Sequence, residues 1–162
     1  MERYIFDFIY AMLGTIGFAA LFEIRPKNIF YCGICGGIGW LVYLISDNFF
    51  GVFISNLFSA LSIVILARIL AKYKKAPAPI FYIPGIFPIV PGAGIYNTAY
   101  SIVRNNFSDA QMYGLATIKT SCAIALAIAI ISLFPYSLRR KKLISNQKSH
   151  IHQFESLKKN IK

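Results

Sequence analysis

IPGIFPIVPGAGIY, residues 83–96, is apolar enough to enter a lipid bilayer, yet it places three prolines and three glycines within eleven positions. Proline removes a backbone hydrogen-bond donor and clashes with the preceding helical turn, and each glycine weakens a helix by about 1 kcal/mol relative to alanine. Lipid provides no water to satisfy the backbone groups that such residues free. A membrane-spanning helix that is broken at this point therefore needs a structural or functional reason.

The rest of the chain has the composition of a membrane protein. Of its 162 residues, 57% are hydrophobic and 14% are charged, and the mean hydropathy is +0.58. A soluble domain of this length would carry more polar residues on its surface. The apolar residues also occur in runs of about 20, the length that crosses a bilayer as a helix. We therefore predict an all-α fold, a polytopic transmembrane helical bundle.

The apolar runs predict five spans, and the Pro/Gly segment lies in the fourth, which we expect to be broken midway. Glu2, Arg3 and Asp7 leave no basic region of the kind that begins a signal peptide, so the first run is expected to be a retained span. Together the spans form a predicted transmembrane domain over residues 1–138, and a basic tail follows over residues 139–162. The approximate spans are residues 4–24, 29–45, 50–70, 79–103 and 113–134.

The basic residues predict how the spans are oriented. Lys and Arg occur in the first and third connecting turns and in the tail, whereas the second turn has neither and the fourth has only Arg104. Positively charged turns generally remain on the cytoplasmic side. We therefore expect a multi-pass protein of the plasma membrane, with its N-terminus outside and its C-terminus in the cytoplasm.

The broken span is the principal candidate for a binding site. Two half-helices that meet inside a membrane expose the ends of their peptide dipoles, and the N-terminal end of the second half favours an anion such as a carboxylate. Glycines there would let a ligand approach the backbone, and the polar residues that follow would add donors. The alternative is a kink that only shapes packing. The candidate residues are Pro84, Gly85, Pro88, Pro91, Gly92, Gly94, Tyr96 and Asn97.

Two ionisable residues are further candidates. Lys119 lies within the predicted fifth span, where it would pair with a substrate carboxylate or carry a proton. Alternatively, it extends to the nearby membrane surface along its aliphatic stem. Glu23 lies near the end of the first span and is a candidate for proton coupling, although Arg25 and Lys27 are close enough in sequence to pair with it.

Other motifs favour structural roles. Cys32 and Cys35 have C-x-x-C spacing without a second pair, and Gly33 and Gly37 form the small-xxx-small pattern that lets membrane helices approach closely. Helix packing is thus favoured over metal binding. Because a metal site needs more ligands than the two histidines of the tail, and no catalytic or nucleotide-binding motif occurs, we expect no metal, no cofactor and no enzymatic activity.

The tail is basic, and a basic segment can indicate that a protein binds nucleic acid. Its run Arg139–Lys142 is better explained as a topology anchor with some attraction to anionic lipid. No soluble folded domain accompanies it, so no nucleic-acid partner is expected.

The pattern P-G-x-x-P-x-x-P-G-x-x-x-Y, from Pro84 to Tyr96, resembles the threonine/serine exporter family. "GTIGFAALFEIRPKNI" and "GICGGIGWLVYLI" are similar to the first and second spans of that family, and the likeness covers roughly residues 10–138. The chain is most similar to the small membrane subunit of the split, two-component form. The motif positions that match are Pro84, Gly85, Pro88, Pro91, Gly92 and Tyr96.

This resemblance implies a function that composition alone does not. It implies proton-driven export of threonine or serine, or of a dicarboxylate such as succinate, together with a larger membrane subunit of the same family. It assigns no role to Lys119 or to the tail beyond Lys142. The alternative hypothesis is a membrane scaffold or assembly protein that transports nothing, in which the Pro/Gly positions face packed helices.

Overall fold

The computed structural model describes residues 2–133, with side chains from residue 4 onward. The packing described below concerns the described residues up to Ile131. The predicted basic tail, with His150 and His152, lies outside the described residues.

Every regular element within residues 2–133 is helical. Four of the helices are long and apolar enough to cross a membrane, and a pair of shorter helices, bent by 46° at a short break, makes a fifth candidate span. The predicted all-α bundle with a broken fourth span is thus confirmed. In chain order the elements are α1 (Glu2–Leu21), α2 (Pro26–Asp47), α3 (Val52–Lys74), α4 (Pro79–Ile86), a 3-10 turn (Phe87–Ile89), α5 (Gly92–Val103) and α6 (Phe107–Leu133).

Helices α1 and α3 end in the same way. Glu23 after α1 and Lys75 after α3 both adopt the left-handed backbone conformation, each with φ of 52°. In both turns the N–H of the next residue donates to the carbonyl five positions earlier, at 3.1 Å. This motif satisfies carbonyls that a helix end leaves without a partner. Because neither residue is glycine, each turn also stores about 1 kcal/mol or more of backbone strain.

The middle of α2 packs closely against α1 because its side chains are absent there. A Cβ atom added to Gly33 would lie 2.7 Å from Ile16, and one added to Gly37 would lie 2.6 Å from Phe8. Real Cβ atoms do not approach other atoms so closely, so a side chain at either position would have to displace Ile16 or Phe8 of α1. The glycines in the CGICGGIG segment thus contribute to helix packing.

The remaining faces of α2 contact α3 and α4. A Cβ atom at Gly39 would overlap Ile63 of α3, and the Ser59 hydroxyl donates a 2.6 Å hydrogen bond to the Gly39 carbonyl. On the side of α4, the buried Cys32 thiol donates to the Ile80 carbonyl at 3.3 Å. Helix α2 therefore lies at the centre of the first four helices.

Helix α6 packs on α3 and on the broken span. Its apolar side chains share one buried cluster with those helices, and the Asn56 amide of α3 lies 3.5 Å from the Thr120 hydroxyl of α6. The cluster consists of Ala60, Ile63 and Val64 of α3, Ile86 and Ile89 of the broken span, and Ile124, Ala127 and Ile131 of α6.

Helix α6 begins at Phe107, ahead of the start near residue 113 that the polar "RNNFSDAQ" stretch predicts. Asn106 explains the difference, because its side-chain oxygen accepts from the Asp109 N–H at 3.3 Å. Its amide in turn donates to the Asp109 carboxylate at 2.7 Å. Such reciprocal capping satisfies donors that a helix start leaves free, so polar residues open this helix instead of forming a loop.

Gly36→Ala tests the packing of α1 on α2. A Cβ atom at Gly36 would overlap the side chain of Thr15, which is buried and β-branched and therefore cannot rotate away freely. We expect the free energy of unfolding in detergent to fall by about 1–3 kcal/mol.

Gly17→Ala is the matched control, since Gly17 lies on α1 and has no neighbouring atom within 4 Å of an added Cβ. That variant should be unchanged or stabilised by up to about 1 kcal/mol, because alanine favours helix. Equal losses of stability in the two variants would contradict the packing described here.

Candidate functional site: the break in the fourth span

The first half of the broken span is held by close packing. Pro84 is fully buried within α4. A Cβ atom at the next residue, Gly85, would lie 3.1 Å from Ile63 of α3 and 3.3 Å from Cys35 of α2. Pro84 and Gly85 are therefore packed against the neighbouring helices and contribute to the position of α4.

The chain then leaves helical geometry over a few residues. Pro88 and Pro91 contribute no N–H groups, and Val90 is extended, with ψ of 130°. Two of the N–H groups that remain find partners locally, because the Val90 N–H donates to the Phe87 carbonyl at 3.2 Å and the Gly92 N–H donates to the Val90 carbonyl at 2.8 Å. The break is thus an ordered turn with its own hydrogen bonds.

The second half-helix begins without a side-chain cap. Pro91 precedes α5 and makes no side-chain capping hydrogen bond, and the first bond of the helical pattern runs from the Ile95 N–H to the Pro91 carbonyl at 3.1 Å. Helical geometry therefore leaves the N–H groups of Ala93 and Gly94 without a partner in the helix. They stand at the positive end of the α5 dipole.

Gly92 differs from the other glycines of the motif. An added Cβ would meet no atom within 4 Å, and its φ lies outside the left-handed region. Neither packing nor conformation within the described residues requires glycine at this position. The open space instead lets another molecule or chain approach the backbone where α5 begins.

Gly94, by contrast, packs against α6. An added Cβ would overlap the hydroxyl of Thr117, and one turn further along, Thr98 lies 3.5 Å from the position of a Cβ at Gly114. Small residues on both helices thus bring α5 and α6 together. Only Gly92 of this pair of glycines remains open.

The start of α5 does not lie at the middle of the bundle. Gly94 contacts Thr117 of α6, and Thr120, one turn on, lies beside Asn56 in the first turns of α3. Gly85, in contrast, contacts the central part of α2 and α3. The break is midway in the sequence of the fourth span, but the N-terminus of α5 lies nearer the end of the bundle at which α3 begins.

The polar side chains that follow the break form a stripe along α5. Tyr96 and Tyr100 stack with ring centroids 6.0 Å apart, and the Arg104 guanidinium lies 4.7 Å from the centre of the Tyr100 ring. Tyr96 is 66% exposed, and Asn97 beside it is half-buried. Arg104 is about 18 Å along the helix from Gly92, too far to contact a small molecule bound at the break.

Lys119 lies apart from the stripe. Its side chain is exposed and lines a mostly apolar cleft of about 690 Å³ beside Gly51 and the first residues of α3. Since α3 begins at Val52, this is level with the start of α3, about three helical turns after α6 begins. Such a position fits the alternative in which the ammonium group reaches the membrane surface.

Glu23 also lies away from the break. It is exposed in the left-handed turn after α1 and lines a cleft that Arg25 and Lys27 share. Within residues 2–133, no group of three or more His, Cys, Asp or Glu side chains is placed to hold a metal ion.

Sequence reasoning missed a set of polar residues that the structure buries between the spans. The Asn56 amide donates to the Val52 carbonyl at 2.7 Å and lies beside Thr120. Ser55 and Ser59 of the same helix are also fully buried. The signal was present in "SNLFSALS", residues 55–62, whose polar positions recur every three to four residues and so share one face of a helix.

Comparison with known proteins identifies the family. Residues 7–134 match the family described as "Threonine/Serine exporter, ThrE", and the chain belongs to that family. A Haemophilus influenzae protein described as uncharacterized is 29% identical over 154 residues, an alignment that covers 89% of this chain and 51% of that relative. The chain thus spans about half the length of this relative. No solved structure matches the chain.

Gly92→Leu and Gly94→Leu test whether these neighbouring glycines differ as their surroundings suggest. A side chain at Gly94 must displace Thr117, so we expect Gly94→Leu to lower the free energy of unfolding by about 1–3 kcal/mol. Gly92→Leu should stay within about 0.5 kcal/mol of the original protein, as for other substitutions without packing consequences. Thermal unfolding of both variants in one detergent makes the comparison, and equal destabilisation would show that Gly92 is packed.

Proposed function

We propose that this member of the threonine/serine exporter family is a membrane subunit of a secondary-active exporter of small carboxylate-bearing metabolites. It works with a larger membrane subunit and uses the proton-motive force. Its N-terminus lies outside the plasma membrane and its C-terminus in the cytoplasm. The main support for the proposal is the start of α5. This half-helix has no side-chain cap, and no atom lies within 4 Å of a Cβ added at Gly92.

The carboxylate of the substrate binds at this start. The N–H groups of Ala93 and Gly94 have no acceptor within the helix, and the helix dipole places partial positive charge on them. Gly92 lets the carboxylate approach the backbone without meeting a side chain. A charge-assisted hydrogen bond to these donors is shorter and stronger than one between neutral groups.

The other half of the broken span favours an amino acid as substrate. Helix α4 and its 3-10 turn end at Ile89, so partial negative charge on their last carbonyls faces the break from the opposite side. An α-ammonium group is attracted to those carbonyls while the carboxylate binds at α5. A zwitterion satisfies both dipole ends, whereas a dicarboxylate such as succinate satisfies only one. We therefore propose threonine or serine over a dicarboxylate.

The hydroxyl of threonine or serine has candidate partners on α5. Tyr96 stands one helical turn after Gly92, and its phenol is both a donor and an acceptor. Asn97 presents an amide of the same dual character. These two side chains are the ones that we propose to recognise the substrate side chain.

A larger subunit is proposed because this chain leaves apolar surface along α5 and at the start of α6. Ile95 and Ile102 of α5 are more than half exposed, Val103 at its end is 81% exposed, and Phe107 is 68% exposed. The chain also spans only about half of the Haemophilus influenzae relative. A second set of spans from a partner would cover the open side of α5 and exclude lipid from the substrate. The break would then lie between two chains.

Efflux from cells that lack their own amino-acid and dicarboxylate exporters tests the proposal. The chain is expressed alone, with a larger family subunit from the same organism, or not at all, and the cells are loaded with threonine, serine or succinate. We expect threonine and serine to leave only when both chains are present. Full efflux from the chain alone would contradict the need for a partner. Efflux of succinate alone would contradict the zwitterion argument, and no efflux with both proteins in the membrane would favour the scaffold hypothesis.

Gly92→Leu should abolish this efflux while leaving the amount of protein in the membrane unchanged, because the new side chain occupies the space through which a carboxylate reaches the backbone. Gly17→Leu is the matched control, since its glycine is equally free of neighbours but lies on α1. Normal flux through the Gly92→Leu variant would exclude the start of α5 as the binding site.

Lys119→Met separates the two interpretations of the intramembrane lysine. Since the structure places Lys119 on an apolar cleft beside the start of α3, we expect efflux to remain within about twofold of the original rate. A loss of flux greater than about tenfold, with a normal amount of protein in the membrane, would instead place this residue in the transport pathway.

A further inference from the structure

A second cleft lies at the end of the bundle where the first and third connecting turns meet. It has a volume of about 650 Å³. Its lining residues are Phe22, Glu23, Ile24, Arg25, Lys27 and Asn28 on one side and Lys74, Lys75, Ala76, Pro77 and Ile80 on the other. This volume is in the range of pockets that bind small molecules or parts of larger ones. The cleft is separate from the break, where α5 begins nearer the opposite end of α3.

The charges of this cleft are strongly unbalanced. Arg25 and Lys27 come from the first turn, Lys74 and Lys75 come from the third, and Glu23 is the single carboxylate among the lining residues. Like charges from two segments far apart in sequence repel one another, which opposes the approach of the two turns. An anion bound between them would remove this repulsion and link the two turns.

The geometry of the turns supports a binding role. Glu23 and Lys75, the residues held in left-handed conformation, both line the cleft. These left-handed turns end α1 and α3 at the cleft, and they bring two cationic segments that are far apart in sequence to the same place. Lys74 is also positioned, because its ammonium group lies 3.9 Å from the centre of the Tyr31 ring.

The backbone at the start of α2 also favours an anion in the cleft. Helix α2 begins at Pro26, directly beside the cleft, and Arg25 before it makes no side-chain capping hydrogen bond. The positive end of the α2 dipole therefore adds to the field of the four cations. An anion with several oxygen acceptors, such as a phosphate group, is the ligand that suits such a set of donors.

The walls of the cleft distinguish a lipid from free phosphate. Apolar side chains alternate with the cations, among them Phe22, which is 48% exposed, and the half-buried Ile24 and Ile80. Tyr73, 84% exposed, precedes Lys74, and exposed tyrosines of membrane proteins lie at the level of the headgroups. An inorganic anion makes no favourable contact with apolar walls, whereas the glycerol and upper acyl carbons of a lipid pack against them.

We propose that this cleft binds the phosphate headgroup of an anionic phospholipid, which bridges the first and third connecting turns. The cations hold the phosphate oxygens, and the apolar walls contact the part of the lipid below the headgroup. The site thereby ties α1 and α2 to α3 and α4 at one end of the bundle. It is independent of the substrate proposed for the break.

The test measures binding of phosphatidylglycerol and phosphatidylcholine, with identical acyl chains, to the purified full-length chain by native mass spectrometry. The cleft variant R25Q/K27Q/K74Q/K75Q removes the four cations. The matched control K148Q/K158Q/K159Q/K162Q removes as many charges from the part of the tail that follows the run Arg139–Lys142. We expect the cleft variant to lose affinity for phosphatidylglycerol by at least about tenfold and the tail variant to stay within about twofold. Equal losses in both variants would show generic attraction and overturn the site.

Two further measurements use the unaltered chain, so that misfolding of the cleft variant cannot decide the outcome. Phosphatidylglycerol with a photoreactive headgroup should crosslink within residues 22–28 and 74–80, and crosslinks spread over other surfaces would overturn the proposal. Inorganic phosphate added to the complex should leave the bound lipid in place. Release of the lipid by inorganic phosphate would assign the cleft to the free anion instead.

Discussion

A backbone N–H or C=O group in lipid must find its hydrogen-bond partner within the protein, and the rest of this structure follows from how that constraint is met at the break. Three prolines between residues 84 and 91 remove donors from the fourth span. The backbone forms a 3-10 turn there, and the N–H groups of Val90 and Gly92 donate to nearby carbonyls. The N–H groups that lack a partner in the helix are those at the start of α5. The start of α5 is therefore the place at which we propose that the carboxylate of the substrate binds.

The break is also held from outside, by contacts that depend on small residues. Gly85 lies against α2 and α3, and the glycines of α2 bring α1 close on its other side. In a bilayer no hydrophobic force draws helices together, so close backbone approach and the dispersion contacts that it permits supply the attraction. Pro84 and Gly85 are therefore packed against neighbouring helices, whereas the start of α5 is exposed and is the substrate site that we propose. The Pro/Gly motif thus contains both packed and open positions in successive turns.

The two ends of the bundle differ in chemistry. One end gathers the cationic turns after α1 and α3, where strained residues and helix termini surround a cleft. Toward the other end lie the polar contacts between Asn56 and Thr120 and the start of α5. Lys119 lies near that end but on another face, so it does not join the polar residues of α5. The cationic cleft and the proposed substrate site are thus separated along the bundle axis.

The sequence by itself determined the all-α membrane class, the broken fourth span and the family, because apolar runs and Pro/Gly breaks act through local backbone chemistry. It did not reveal that Gly92 is open while Gly85 and Gly94 are packed, since three glycines in one motif look alike until neighbouring helices are placed. The sequence also did not predict that Glu23 and Lys75 line one cleft. Both features depend on contacts between segments that are far apart in the chain, so only the tertiary structure decided them.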